Sequence, residues 1–410
     1  MYMRCPDGMD LAEDECLEIR GGMYGLVQAS RTYWKKFVDV ITHKDVGFVK
    51  SQTDQCLFIK EGKIGTLLLL CYVDDSLLIG MREDINESLA LIGKKFNITS
   101  EGKLNDFLGC EIVRDPAIKQ CWLLQPHLIN KLKITYGEEL KKVRRMLTAG
   151  TPRQVLKKVE VVSDELRLNP EEMFRYRSGV GSLLYILKHS RPELSNPIRE
   201  LTKGMHLAGP HHYKEMLRVM KWLLDTPNLG LKMKPVITKN SEGSINWILK
   251  GICDSTWGSE KQDGKSVTGY ILYFMGVPIS WKSKAQPLVT LSSSEAEYVA
   301  ASELLKEIKY TMQILDSIGV KVDTPVRIYI DNTGAIQMAR NNTSYCATRH
   351  VNVRFHFVRE YQEEGKIELV FVRSEDNDAD ILTKNGTRAE IERHAPKLIE
   401  LVPGRELLKL

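Results

Sequence analysis

The residues after position 245 constrain the fold most tightly. Trp247 to Cys253, Val267 to Met275 and Val277 to Lys282 read as three successive strands with tight turns, the last carried by Gly276 and Pro278. A long helical pattern, Ser293 to Ser317, follows. Then come a strand at Val326 to Ile330, a helix from Thr333, a basic aromatic helix at Val351 to Glu364, a strand at Ile367 to Val372 and a short last helix. Three strands followed by alternating helices and strands bury their apolar faces as a compact mixed α/β domain.

Acids fall at telling places in that pattern. Asp254 is expected just after the first strand, and Asp331 just after Val326, Ile328 and Ile330, whose alternation puts one strand face in the core. Carboxylates projecting from the ends of neighbouring strands can share divalent metal, because Mg²⁺ prefers carboxylate and water oxygens. The long helix offers Glu295 and Glu297. Ser292 with Glu295 three residues on forms a capping box, which gives Glu295 a structural role. Glu297 instead shares a stripe with Ala301, Leu304 and Ile308, which must face the sheet. A single Asp after a strand is commonly a turn former or a cap. An inward Glu is harder to dismiss, since a buried carboxylate is costly unless something pairs with it. Among Asp376, Asp378 and Asp380, before the last helix, spacing alone does not choose.

Upstream, Gln28 to Ile41 has helical spacing at Tyr33, Trp34, Phe37, Val38 and Ile41, and extended structure runs on through Cys56 to Ile59. The run Thr66 to Val73, the pair Asp74 and Asp75, and Ser76 to Ile79 predict a β-hairpin with carboxylates at its tip. Glu87 to Phe96 predicts a short helix, Phe107 to Val113 with Cys121 to Leu124 a second hairpin around Asp115-Pro116, and Pro126 to Tyr136 a helix. The charged stretch Lys141 to Leu168 is expected to be a mobile or partly helical connection. A helical block from Met173 to about Leu224 follows, with breaks at Pro192, Pro197 and Gly209-Pro210.

With 43% hydrophobic and 27% charged residues, a disordered or membrane-embedded chain is not expected. The longest apolar run, Ile64 to Val73, falls far short of the ~20 residues that span a bilayer. The N-terminus lacks a basic stretch leading into an apolar one, so no signal peptide is expected. Eight cysteines with no CxxC pair argue against a zinc site or a disulfide framework and for reduced, intracellular thiols, in cytoplasm or nucleus. A net charge of +5 is compatible with a polyanionic partner without demanding one.

Cys253-Asp254-Ser255, Ser266 to Tyr270 (SVTGY), Pro278 to Ser283 (PISWKS), Ser292 to Tyr298 (SSSEAEY), Ile330 to Asn332, Arg349-His350 with His356-Phe357, and Ala379 to Lys384 (ADILTK) together resemble the RNase H domain of copia-type LTR retrotransposon polyproteins. The resemblance implies that Asp254, Glu297, Asp331 and Asp380 are catalytic metal ligands, and so chooses Asp380 over its neighbours. It implies Mg²⁺-dependent (or Mn²⁺-dependent) hydrolysis of the RNA strand of an RNA–DNA hybrid by a two-metal scheme. Hybrid selectivity would come from 2′-hydroxyl and backbone contacts. Where many RNases H carry a histidine before the last catalytic helix, this chain reads Arg373-Ser374-Glu375. Arg349, His350 and His356 are candidates for substrate contacts.

Tyr72-Val73-Asp74-Asp75 looks like the YxDD hairpin of a reverse transcriptase palm. Tyr24 to Ala29 (YGLVQA), Gly47 to Phe58 with Asp54, Phe107 to Ile112 (FLGCEI) and Tyr176 to Tyr185 (YRSGVGSLLY) resemble the copia-type polymerase in order and spacing. By resemblance Asp74 is a metal ligand and Asp75 its less direct catalytic neighbour, Gln28 lines the nucleotide pocket, and the hairpin at Leu108 and Gly109 grips the primer. Bland readings exist for two of these, an N-terminal helix residue for Gln28 and an ordinary turn glycine for Gly109. In the family a further catalytic aspartate and the basic fingers lie upstream of a segment resembling Tyr2-Met3 and the Pro6 to Gly8 turn, and Asp7, Asp10 and Asp14 fall wrongly to substitute. Polymerisation is therefore expected to be weak or absent.

The expected architecture is α/β in the α+β sense, in four segments. They are a truncated reverse transcriptase palm at 1–125, a helical thumb and connection at 126–243, an RNase H-like mixed five-stranded sheet with flanking helices at 244–390, and a tail at 391–410. Expected partners are an RNA–DNA hybrid, an RNA template and a DNA primer, without a membrane; self-association or pairing with a complete polymerase subunit is compatible. The alternative to an enzyme is a non-catalytic nucleic-acid-binding remnant.

Overall fold

The computed structural model describes all 410 residues except 1, 5, 7, 10, 11, 13, 14, 20–24, 160–166, 341–348 and 406–410, together with the side chains of 349–355. Tyr24, Asp7, Asp10 and Asp14, and the side chains of Arg349 and His350, thus lie outside the described residues. The chain forms two compact units, Met1–Gly102 with Gln313–Val320, and Lys103–Met312 with Lys321–Leu410. Among the described residues, six cysteines are free thiols and no helix is long and apolar enough to cross a membrane.

In the first unit, β1 (Tyr2–Met3) pairs with β2 (Leu17–Glu18), and α1 spans Ala29–Ile41. β3 (Val49–Lys50), β4 (Leu57–Glu61), β5 (Thr66–Tyr72) and β6 (Asp75–Ile79) make an antiparallel meander, and α2 covers Arg82–Gly93. Alternation puts Phe58, Leu67 and Leu69 on one sheet face, where they pack with Phe37 and Ile41 of α1 and Ile92 of α2. α2 begins earlier than its apolar spacing predicts and stops at Gly93. The cause is Asp84, whose buried carboxylate accepts the backbone N–H groups of Lys63, Ile64 and Gly65 and so fixes the helix start against the β4–β5 turn.

The second unit holds two sheets and a helical layer. β7 (Asp106–Phe107), β8 (Cys110–Asp115) and β9 (Gln120–Leu124) form a meander, followed by α3 (Pro126–Lys141), α4 (Pro170–His189), α5 (Ser195–Thr202) and α6 (Pro210–Asp225). Helix α4 opens on a capping box between Asn169 and Glu172, and its Gly179 lets α6 approach, since a Cβ there would lie 2.6 Å from Met216 Sδ. Pro197 does not break the chain: it sits in the first turn of α5, where its missing N–H costs nothing. Helix α3 runs five residues past the predicted Tyr136.

The stretch read as a mobile connection is packed where it is described. Thr148, Ala149 and Leu156 are buried, and Leu156 N–H donates to Glu200 of α5. The charges there satisfy partners far along the chain, which composition cannot reveal. The remaining strands and helices are β10 (Leu229–Met233), β11 (Leu249–Glu260), β12 (Lys265–Phe274), β13 (Val277–Ala285), α7 (Ser293–Ser317), β14 (Val326–Ile330), α8 (Thr333–Arg340), α9 (Arg349–Glu363), β15 (Ile367–Phe371), α10 (Asp380–Thr383), α11 (Arg388–His394) and β16 (Ile399–Leu401). One sheet runs β16-β10-β9-β8-β7 and crosses the predicted segment borders, since β16 lies in the stretch read as a tail.

The other sheet runs β13-β12-β11-β14-β15, with β11, β12 and β13 antiparallel and β11, β14 and β15 parallel. This is the mixed five-stranded RNase H-like arrangement expected from the sequence. β11 is longer than predicted, so Asp254 sits inside the strand, opposite Gly269, and not at its end. The β11–β12 ladder continues past the point where β14 stops pairing, at Ile252 with Tyr329. Asp254 therefore lies just beyond the parallel pairing, near the end of β14.

Candidate active site

Helix α7 brings Glu297 level with Asp254 along β11. Leu304 packs over Gly251 of β11 so closely that a Cβ on Gly251 would lie 2.6 Å from Leu304 Cδ2. Seven helical residues back from Leu304, ~10 Å, is Glu297; three strand residues on from Gly251, also ~10 Å, is Asp254. Asp331, the residue after β14, completes the meeting. Asp254, Glu297 and Asp331 each offer a carboxylate oxygen, and these oxygens lie within 4.8 Å of one another. Asp254 is 5% and Glu297 4% exposed, while Asp331 is half-buried.

Asp380 opens α10 beside this group. It is buried, lies outside the 4.8 Å set, and its Oδ1 is 2.5 Å from Lys384 Nζ. Its charge is the strongest of those acting on Asp254, whose carboxyl is pushed up to about 7 by burial first, then by Asp380 and Asp331. Burial and the charges of Asp254 and Asp331 raise Glu297 well above the usual carboxylate range. Asp376 is exposed in a 3₁₀ turn, and Asp378 is turned away into a buried contact with His394 and an ion pair with the exposed Lys397. Glu295 caps as its spacing predicts: its N–H donates to Ser292 Oγ, and its carboxylate accepts the Leu291 N–H.

The donor set fits a divalent cation. Three hard oxygen donors converge, the groups repel as anions, and Glu297 Oε2 is buried with no hydrogen-bond partner. Its sister atom Oε1 is fixed by the Ser255 N–H at 2.8 Å and the Ser255 hydroxyl at 2.9 Å. Only Oε2 is left to bind.

In the first unit, Tyr72 pairs with Asp75 across a two-residue turn, Val73-Asp74. Val73 takes a left-handed φ of 54° at a turn position that usually demands glycine. Tyr72, Asp74 and Asp75 are exposed, and among the described residues the two acids join no group of three metal-ligating side chains. Gln28 is an exposed N-cap residue of α1. In the second unit, Leu108 and Gly109 form a tight turn, both with positive φ, and Tyr185 donates its hydroxyl to the Leu108 carbonyl. His356 is exposed on α9.

The family described as reverse transcriptase (RNA-dependent DNA polymerase) matches residues 1–138. Over 396 residues, 96% of this chain, the sequence is 29% identical to the retrovirus-related Pol polyprotein from transposon TNT 1-94 of Nicotiana tabacum, covering 29% of that protein. The Pol polyproteins from transposons RE1 and RE2 of Arabidopsis thaliana are 30% and 31% identical over 97% of this chain, which covers 26% of each. Over nearly its whole length the chain is similar to the Pol polyproteins of plant copia-type retrotransposons, and its first 138 residues match the reverse transcriptase family. The chain spans about a quarter of the length of the curated relatives it matches. Among solved structures, an RNase H1 from compost, LC11-RNase H1, in complex with RNA/DNA hybrid aligns at a TM-score of 0.26 and 16% identity, over 33% of this chain and 92% of that one. A foamy viral protease-reverse transcriptase in complex with RNA/DNA hybrid aligns at a TM-score of 0.42 and 10% identity, over 86% of this chain and 39% of that one.

Three residues to which the sequence pattern assigned no role organise the cluster. Thr383 donates its hydroxyl to Asp254 Oδ2, Ser255 fixes Glu297, and Asn377 donates to the Cys253 carbonyl at 2.9 Å while accepting the Ala379 N–H. The spacing of Asp380 and Thr383, three apart and so on one helical face, was a usable signal for Thr383. For Asn377 there was none, because its partner is 124 residues away.

Proposed function

We propose that this chain hydrolyses the RNA strand of RNA–DNA hybrids at a centre built from Asp254, Glu297, Asp331 and Asp380. The observation that carries this reading is the convergence of three carboxylate oxygens around a buried, unpartnered Glu297 Oε2. Asp254, Glu297 and Asp331 would hold Mg²⁺, with Mn²⁺ as its substitute, and Asp380 would add a fourth carboxylate from α10. Bound there, the metal supplies Lewis acidity, activating water and stabilising the departing 3′ oxygen. The chain's own part is to hold each oxygen in place: Ser255 leaves Glu297 one free atom, and Thr383 occupies one oxygen of Asp254.

Hybrid would be recognised through backbone and 2′-hydroxyl contacts, with Arg349, His350 and His356 as candidate contributors. For RNA-directed DNA synthesis, Asp74 is the proposed metal ligand and Asp75 its neighbour, with Tyr72, Gln28, Leu108 and Gly109 as proposed nucleotide and primer contacts. Two exposed acids that join no third carboxylate among the described residues should hold metal poorly, so polymerisation by this chain alone is proposed to be weak.

The test is cleavage of a labelled RNA–DNA hybrid by the full chain in Mg²⁺. Cleavage that falls by at least a hundredfold in Asp331→Asn is expected. Hybrid binding without cleavage in the wild type would overturn the nuclease reading in favour of a binding remnant or a structural partner of a complete polymerase.

A further inference from the structure

Helix α10 spans only Asp380–Thr383, yet both of its end residues address Asp254. Four residues cannot stabilise a helix by themselves, because nucleation fixes several dihedrals for one hydrogen bond. Its placement must come from anchors at its two ends. The first is Asn377, bonded to the Cys253 carbonyl of β11. The second is Asn385, two residues past the helix.

Asn385 is 6% exposed and spends its polar groups on the region before the sheet. Its Oδ1 accepts from Asn196 Nδ2 of α5 at 2.9 Å, its Nδ2 donates to the Gln154 carbonyl at 3.1 Å, and its carbonyl accepts the Arg153 N–H at 2.9 Å. The fit is close: a Cβ on Gly150 would lie 2.6 Å from Asn385 Cγ. Asn196 is itself held by Arg199, whose guanidinium pairs with Glu260 at the last position of β11, the strand that carries Asp254. The contacts close a ring, from Asp254 along β11 to Glu260, through Arg199, Asn196 and Asn385 to α10, and back through Thr383 to Asp254.

We infer that Asn385 is a positioning residue that latches α10 to the 150–156 segment and α5, so that the carboxylate set depends on a region outside the RNase H-like sheet. The latch touches no substrate. It acts by holding Asp380 and Thr383 where Asp254 needs them. The inference rests on the proposed metal centre, and residues that orient metal ligands typically change metal affinity or activity by ~10–100-fold when removed.

The test uses the full chain with Asn385→Ala, Asn196→Ala and Gly150→Ala, all four carboxylates being kept. Mn²⁺ titration calorimetry is the first readout, with Asp331→Asn marking binding at the cluster. Mn²⁺ affinity about tenfold below wild type in Asn385→Ala and Asn196→Ala, with kcat for hybrid reduced and KM unchanged, is the expected result. Wild-type Mn²⁺ affinity in Asn385→Ala would overturn the latch. If Asn385→Ala does not fold, Asn196→Ala and Gly150→Ala are judged by the same standard. A wild type that binds Mn²⁺ at the cluster without cleaving hybrid, while the variants bind more weakly, sinks the nuclease reading and leaves the latch standing. A wild type that binds no Mn²⁺ sinks both.

Discussion

At the scale of single residues, Glu297 divides its labour between two oxygens: Ser255 holds one, and the other is buried with no partner. Removing that charge should help the metal-free protein and harm the metal-bound one. Glu297→Gln keeps an acceptor for Ser255, and is expected to stabilise the chain by about 1–3 kcal/mol at pH 8 in a chelator. The same variant should lose the rise in Tm that Mg²⁺ gives the wild type. Thermal melts with and without Mg²⁺ check both arms. Asp254 sets a pH signature. Burial and the neighbouring acids push its folded carboxyl up to about 7 from its ordinary value of 3.8, so the native state binds more protons than the unfolded chain between these values. Stability is then fully present below about pH 4 and is lost as pH rises through about 7. Without metal, the difference in stability between wild type and Asp254→Asn should shift against the wild type over that window. A difference that stays flat with pH would refute this account.

At the scale of elements, α10 rests on β12 because Gly269 has no side chain. A Cβ there would lie 2.7 Å from Thr383 Cγ2 and 3.0 Å from the Ala379 carbonyl oxygen. Gly269→Ala is expected to cost about 1–3 kcal/mol in urea denaturation, as overpacking does, and to lower hybrid cleavage because α10 must move away from Asp254. Unchanged stability would mean that the helix is not seated as described. The β5–β6 hairpin shows the opposite economy. Val73 occupies a left-handed turn position that costs a β-branched residue on the order of 1–3 kcal/mol, and strain of this kind concentrates at functional turns.

At the scale of the whole chain, distant segments share sheets. β16 pairs with β10, and its Glu400 accepts from Gln120 and Trp122 of β9. Leu398 and Val402 on either side are fully buried. Deleting 391–410 should therefore cost several kcal/mol, at ~1.5–3 kcal/mol per buried aliphatic side chain, and expose β10 as an edge. A melt of the truncated chain against the full one measures it, and equal Tm values would contradict the pairing. Among the described residues, buried ion pairs such as Arg199 with Glu260 likewise join α5 to the end of β11.

The sequence by itself determined the periodic elements. The bounds of α7 and β14 match their apolar spacing, and the stripe through Ala301, Leu304 and Ile308 selected Glu297 over Glu295 without any view of the sheet. These are local properties, written in residues three or four apart. Tertiary structure decided what local spacing cannot encode. It moved Asp254 from a strand end to a strand interior, because the ladder with β12 outlasts the one with β14. It turned Asp378 toward His394 and left Asp380 beside Asp254, a choice made by partners in β11 and α11. It packed the charged stretch before α4 against α5 and Asn385. Convergence depends on register and on contacts across more than a hundred residues, and neither leaves a period in the sequence.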